Sequence, residues 1–161
     1  MSTRLRRQRG ISMVEALVAL VVISVGMLGI AGLYLSSLQA SRTAKLRSQA
    51  VSLVSSIADR IRANRDAAAA YDTSKYGGAP KTQDCDTKNC DAAALAQDDL
   101  ARWIEDIKAA LPGGSVVKGV VKVTDRLRPN PDNYLITVTW HEANTEENYD
   151  YVLSLDLANR L

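Results

Sequence analysis

Apolar side chains follow two rhythms in the first 70 residues. From Ala16 to Leu35 the only polar side chains are Ser24 and the Tyr34 hydroxyl. A run of that kind matches the roughly 20 apolar residues needed to cross a bilayer as a helix. From Ser36 to about Ala70 a helical rhythm continues, with Leu38, Leu46, Leu53, Ile57 and Ile61 spaced for one face. Arg42, Lys45, Arg47, Asp59, Arg60, Arg62 and Arg65 fall elsewhere, with Asp59 and Asp66 as partners for two of the basic residues. No proline interrupts the pattern. At about 1.5 Å per residue, a helix from Ile11 to the mid-sixties is on the order of 80 Å long, far more than a bilayer needs. Its surplus is expected to pack on a domain.

Residues 71 to 90 are rich in Gly, Asp, Thr, Lys and Pro, carry the turn signal Gly77-Gly78-Ala79-Pro80, and read as a loop. Asp91 can cap a second helix from Ala92 to about Leu111, with Leu95, Leu100, Trp103, Ile104, Ile107 and Leu111 on its apolar face and Pro112-Gly113-Gly114 ending it. Three β-type segments follow, at about 116–124, 134–140 and 149–157. In the second, Leu135, Thr137 and Thr139 alternate with Tyr134, Ile136, Val138 and Trp140, which suits an antiparallel strand covered on one face. Asn130-Pro131-Asp132-Asn133 and the stretch Asn144 to Asn148 mark the turns. The predicted class is α+β: a small antiparallel sheet and one additional helix, packed on a long N-terminal helix.

Charge changes this picture at the N-terminus. Arg4, Arg6, Arg7 and Arg9 form a basic leader without an acidic residue, and the positive-inside bias keeps such a leader in the cytoplasm and sends the rest across. Four of the chain's 20 basic residues lie there, so the remainder carries 16 against 18 acidic residues. That balance argues against a general nucleic-acid binder, and the basic residues of the exported helix half read as a solvated or inter-subunit face. About 100 residues remain after the span and its helical extension, enough for one small domain with a modest core.

Glu15 stands at the mouth of the apolar run. A lone carboxylate there costs at least about 2 to 3 kcal/mol in a membrane and marks a functional site by default. Cys85 and Cys90, in a polar, turn-prone segment, are expected to bridge in an oxidising compartment. Two thiols without a second pair, and with His141 far along the chain, make a weak zinc signature, so no metal site is expected. No cofactor or catalytic group is expected either, because His141 follows a strand and has no serine or cysteine arranged as a nucleophile. It reads as a solvent-facing strand-end residue, and Trp103 and Trp140 as core anchors.

A basic leader ending in Gly10, an apolar stretch after it, and Glu15 as the fifth residue beyond the glycine together resemble the class III signal of type IV pilins and pseudopilins. The resemblance implies cleavage after Gly10 by a prepilin peptidase, a mature N-terminus at Ile11 that is methylated, and Glu15 as the assembly carboxylate that neutralises the N-terminal amine of a neighbouring subunit. One departure is Ile11, where phenylalanine is usual. The domain plan that follows is a leader over 1–10, the membrane and assembly half of the helix over 11–35, its exported half over 36–70, and a pilin head over 71–161. Gly26, Gly29 and Gly32 weaken the span, each by roughly 1 kcal/mol relative to alanine. Gly32 falls where major pilins usually carry a helix-bending proline, so the three glycines are expected to act as a soft joint.

Four stretches narrow the resemblance to minor pilins of the PilV type. They are Gly10 to Leu33, Ala58 to Arg65, Asp99 to Trp103 leading into Leu111-Pro112-Gly113-Gly114, and Tyr134 to Trp140. What this implies is a non-catalytic subunit that takes part in priming type IV pilus assembly. Its implied partners are other minor and major pilins, the prepilin peptidase, the inner-membrane assembly platform and, before assembly, inner-membrane lipid. The implied location is the bacterial inner membrane, single-pass with the head in the periplasm, and then the pilus. A pseudopilin of type II secretion, or a tip subunit binding a surface or DNA, are the alternatives.

Overall fold

A computed structural model describes residues 10, 12–124, 133–143 and 145–157. The leader arginines, Ile11, the turn residues 130–132 and Asn144 lie outside the described residues. The elements are helix α1 (Met13–Ala63), 3-10 turns at Arg65–Tyr71 and Thr73–Tyr76, helix α2 (Ala92–Ala110), a short 3-10 turn at Gly114–Val116, and strands β1 (Lys118–Val123), β2 (Asn133–His141) and β3 (Asn148–Asp156). This is the expected α+β class, a long N-terminal helix with one further helix and a three-stranded antiparallel sheet. The chain divides into two compact units, one ending at Arg42 and one beginning at Thr43.

In the second unit α1 buries Leu46, Ala50, Val54, Ile57, Ala58 and Ile61, steps of three and four that keep one stripe against the core. Leu53 is only partly buried. Regular helix ends at Ala63, because Asn64 leaves helical geometry at φ −112° and ψ 54° and sends its side-chain amide to the Ala92 carbonyl at 2.8 Å. The helical rhythm expected to reach about residue 70 therefore continues as short 3-10 turns broken by a kink at Ala67, where φ is −106° and ψ 21°.

Asp91 caps α2 as expected, accepting from the Ala94 amide at 2.7 Å. Leu100, Trp103, Ile104 and Ile107 are buried while Leu95 stays exposed. Pro112 and Gly113 turn the chain toward the sheet. Gly113 adopts φ +128°, and a Cβ there would lie 2.9 Å from the His141 backbone nitrogen, so this position combines a left-handed backbone with a close approach.

The sheet order is β1-β2-β3, antiparallel throughout, with Val121 opposite Ile136 and Ile136 opposite Leu153. Tyr134, Ile136, Val138 and Trp140 all face inward, the alternation read from the sequence. Trp103 and Trp140 are fully buried core residues, and the Trp103 indole donates to the Leu53 carbonyl at 2.8 Å, tying α2 to α1.

Gly119 marks the tightest contact between α2 and the sheet. A Cβ there would fall 2.5 Å from Ile107 Cδ1 and 2.6 Å from the Trp103 ring. The ring cannot retreat without losing its bond to Leu53. We expect Gly119→Ala to destabilise the head by about 1 to 3 kcal/mol through overpacking. Denaturant unfolding would measure it, and an unchanged midpoint would show that Trp103 and Ile107 can move aside.

Candidate assembly site

The N-terminal end of α1 is built by its own first residues. Ser12 precedes the helix, its hydroxyl accepts from the Val14 amide at 3.3 Å and its carbonyl from the Ala16 amide at 3.2 Å, so it serves as the cap. Glu15 then lies in the first turn with its side chain exposed, where its charge also suits the helix dipole. Ser12-Met13-Val14-Glu15 is the capping-box spacing, a signal of the helix start that the charge-based reading of Glu15 passed over.

From Met13 to Leu35 every large apolar side chain is between 52 % and 86 % exposed. An apolar surface of that extent is a contact surface for lipid or protein, since soluble monomers leave no comparable patch in water. Ser24 is satisfied within the helix, donating to the Leu20 carbonyl at 2.7 Å, as a polar side chain in hydrocarbon requires. Gly26, Gly29 and Gly32 are all inside the continuous helix, each with open space where a side chain would be.

Cys85 and Cys90 are bridged. Their loop is held by groups distant in sequence. Asp98 of α2, only 3 % exposed, accepts from the Gln83 amide at 2.6 Å and the Asp84 amide at 3.1 Å. The Arg102 guanidinium donates to Asp98 at 2.8 Å and to Asp86 at 2.5 Å. Burial pushes the Asp98 carboxyl upward, but the Gln83 amide, Arg102 and the Asp84 amide outweigh it and hold the group below the usual carboxylate range. The four-residue separation of Asp98 and Arg102 is a helix-pair signal visible in the sequence. That Asp98 is buried is not visible there, because it depends on where residues 83–86 fold.

A second polar node joins α1 to α2. Arg60 pairs with Asp99 at 2.9 Å, and the buried Tyr71 hydroxyl donates to the other Asp99 oxygen at 2.6 Å. Burial, and then the bond to Asp99, push the Tyr71 phenol far above its ordinary range. Arg62 takes Asp59 at 2.6 Å, so Asp59 serves as a local partner as expected while Arg60 reaches across to another element. At the other end of the head the buried Glu142 accepts from Thr43 of α1 at 2.7 Å and from the Trp140 indole at 3.3 Å, and Tyr149 stacks on Trp140. His141 is partly exposed, its ring facing Asn148 at 3.2 Å.

The first half of α1 is long and apolar enough to cross a membrane, carries an acidic residue in its first turn, and leads into an α+β head. Comparison with known families makes the class specific: residues 5–31 match the prokaryotic N-terminal methylation motif, and residues 32–101 match the family described as type IV pilin Tt1218. The two matches support a type IV pilin or pseudopilin, anchored through its N-terminal helix and assembling with other pilins after prepilin processing. No curated protein and no solved structure matches the chain.

Proposed function

We propose that this protein is a minor type IV pilin of the PilV kind, a non-catalytic subunit that joins other minor pilins to prime filament assembly. The observation that carries the reading is Glu15, an exposed first-turn carboxylate at the head of an uncovered apolar helix, five residues beyond Gly10. Cleavage after Gly10 frees the Ile11 amine, which is then methylated. In the assembled filament Glu15 neutralises the amine of the adjoining subunit and fixes its axial register, a use for which buried charge pairs are suited. Gly26 to Gly32 supply a joint that softens when neighbouring helices pack. Before assembly the helix sits in the inner membrane with its N-terminus cytoplasmic and the head periplasmic.

Two measurements test this. Mass analysis of the mature protein should give a chain that begins at methylated Ile11, and any other start contradicts the processing step. A photoreactive residue at Ser48, on the exposed side of α1, should crosslink in cells to other minor pilins. Crosslinks confined to secretion-system pseudopilins would move the protein to a type II secretion system.

A further inference from the structure

β1 is an edge strand, and its outer edge is only partly protected. The Val121 amide and carbonyl both bond the Thr73 hydroxyl, at 3.3 and 3.0 Å, so that residue faces away from β2. The Thr124 amide, of opposite parity, donates to Asn133 at the β2 side. By the same alternation the Gly119 N–H and C=O point outward, two residues before Val121. Gly119 is buried, and its outward groups have no protein partner among the described residues. An open strand edge is a template for another strand.

These groups open onto a groove of about 310 Å³, whose walls include Gly78, Ala79, Ile104, Lys108 and Lys118. Neither lysine forms an ion pair among the described residues. A cleft with an unpaired peptide group, an apolar wall and two cations fits one kind of occupant. We infer that the groove receives an extended acidic segment of a neighbouring pilus subunit, which adds to the outer edge of β1 at Gly119 with its carboxylates against Lys108 and Lys118. Strand addition takes its strength from main-chain bonds and its selectivity from the flanking side chains. Thr73 limits the added strand to the half of β1 before Val121. This inference rests on the pilin reading for the source of the segment, though not for the chemistry of the groove.

The test uses the full chain in detergent micelles and a short capped peptide of alternating valine and aspartate, with its valine-lysine counterpart as control. The aspartate peptide should shift the Gly119 and Val120 amide resonances saturably, and the lysine peptide should not. Lys108→Glu combined with Lys118→Glu, both at exposed positions, should weaken binding about tenfold or more. Ala79→Trp should block the groove. An unmoved Gly119 resonance, or equal binding of the two peptides, overturns the inference while leaving the pilin reading intact. A chain that binds the peptide but never copurifies with pili overturns the neighbouring subunit as its source.

Discussion

Replacing Glu15 by alanine is expected to leave the protein in the membrane with a folded head and yet remove it almost entirely from filaments. The separation follows from where Glu15 lies. Its side chain is exposed and its unit ends at Arg42, whereas the buried stripe of α1, the sheet and α2 all belong to the other unit, so no core residue of the head is changed. The membrane run becomes more apolar, which favours insertion. On the proposed function, what disappears is the charge that compensates a neighbour's amine, and an uncompensated amine in hydrocarbon costs about 3 kcal/mol on insertion scales, equivalent to roughly a hundredfold in association. Immunodetection in sheared pili against the membrane fraction measures the effect. Glu15→Gln should fail almost as badly, since it keeps the shape and loses the charge. Normal incorporation of either variant would show that filament entry depends on apolar contact alone.

Asp98→Ala carries the largest expected effect on the head. It leaves the Gln83 and Asp84 amides and the Arg102 guanidinium without the carboxylate that collects them, at a site only 3 % exposed. Removing one partner from such a network costs about 3 kcal/mol or more, out of the roughly 5 to 15 kcal/mol that a domain has in total. The variant should melt markedly earlier, with residues 81–90 the first to gain protease sensitivity. Acidity tests the same group independently. Its pKa is lowered on folding, so the unfolded chain binds its proton more readily than the folded one. The stabilisation is therefore complete above the ordinary carboxylate range, about pH 4, and is lost as pH falls through the lowered folded value. Asp98→Asn should flatten that acid limb. An unchanged limb would assign the acid sensitivity to other carboxylates.

The parts of the fold that rest on local pattern were legible in the sequence. The alternation of Tyr134, Ile136, Val138 and Trp140 predicted the inner face of the central strand, and Asp91 predicted the start of α2. Leu38 is where the reading of the α1 stripe fails: it shares the helical spacing but is 50 % exposed and belongs to the other unit. Periodicity shows which residues share a face and says nothing about where along a helix that face is covered. Long-range polar contacts were not legible for the same reason. Arg60 has Asp59 beside it in sequence, yet its partner is Asp99, 39 residues away. Thr43 and Glu142 meet across 99 residues, and nothing near either one announces the other. Charge in an apolar context is a local anomaly, so Glu15 could be picked out as a candidate from the sequence, and the structure places it exposed in the first turn of α1.

The loop around the disulfide is gripped on both flanks by one helix. Asp98 holds the amides of Gln83 and Asp84 just before Cys85, and Asp91, just after Cys90, caps the same helix. Neither sulfur takes part in that grip. α2 thus acts as a jig for the loop, holding the chain on either side of the two sulfurs. The bridge therefore closes a loop whose two flanks are already held by α2 through bonds that do not involve sulfur.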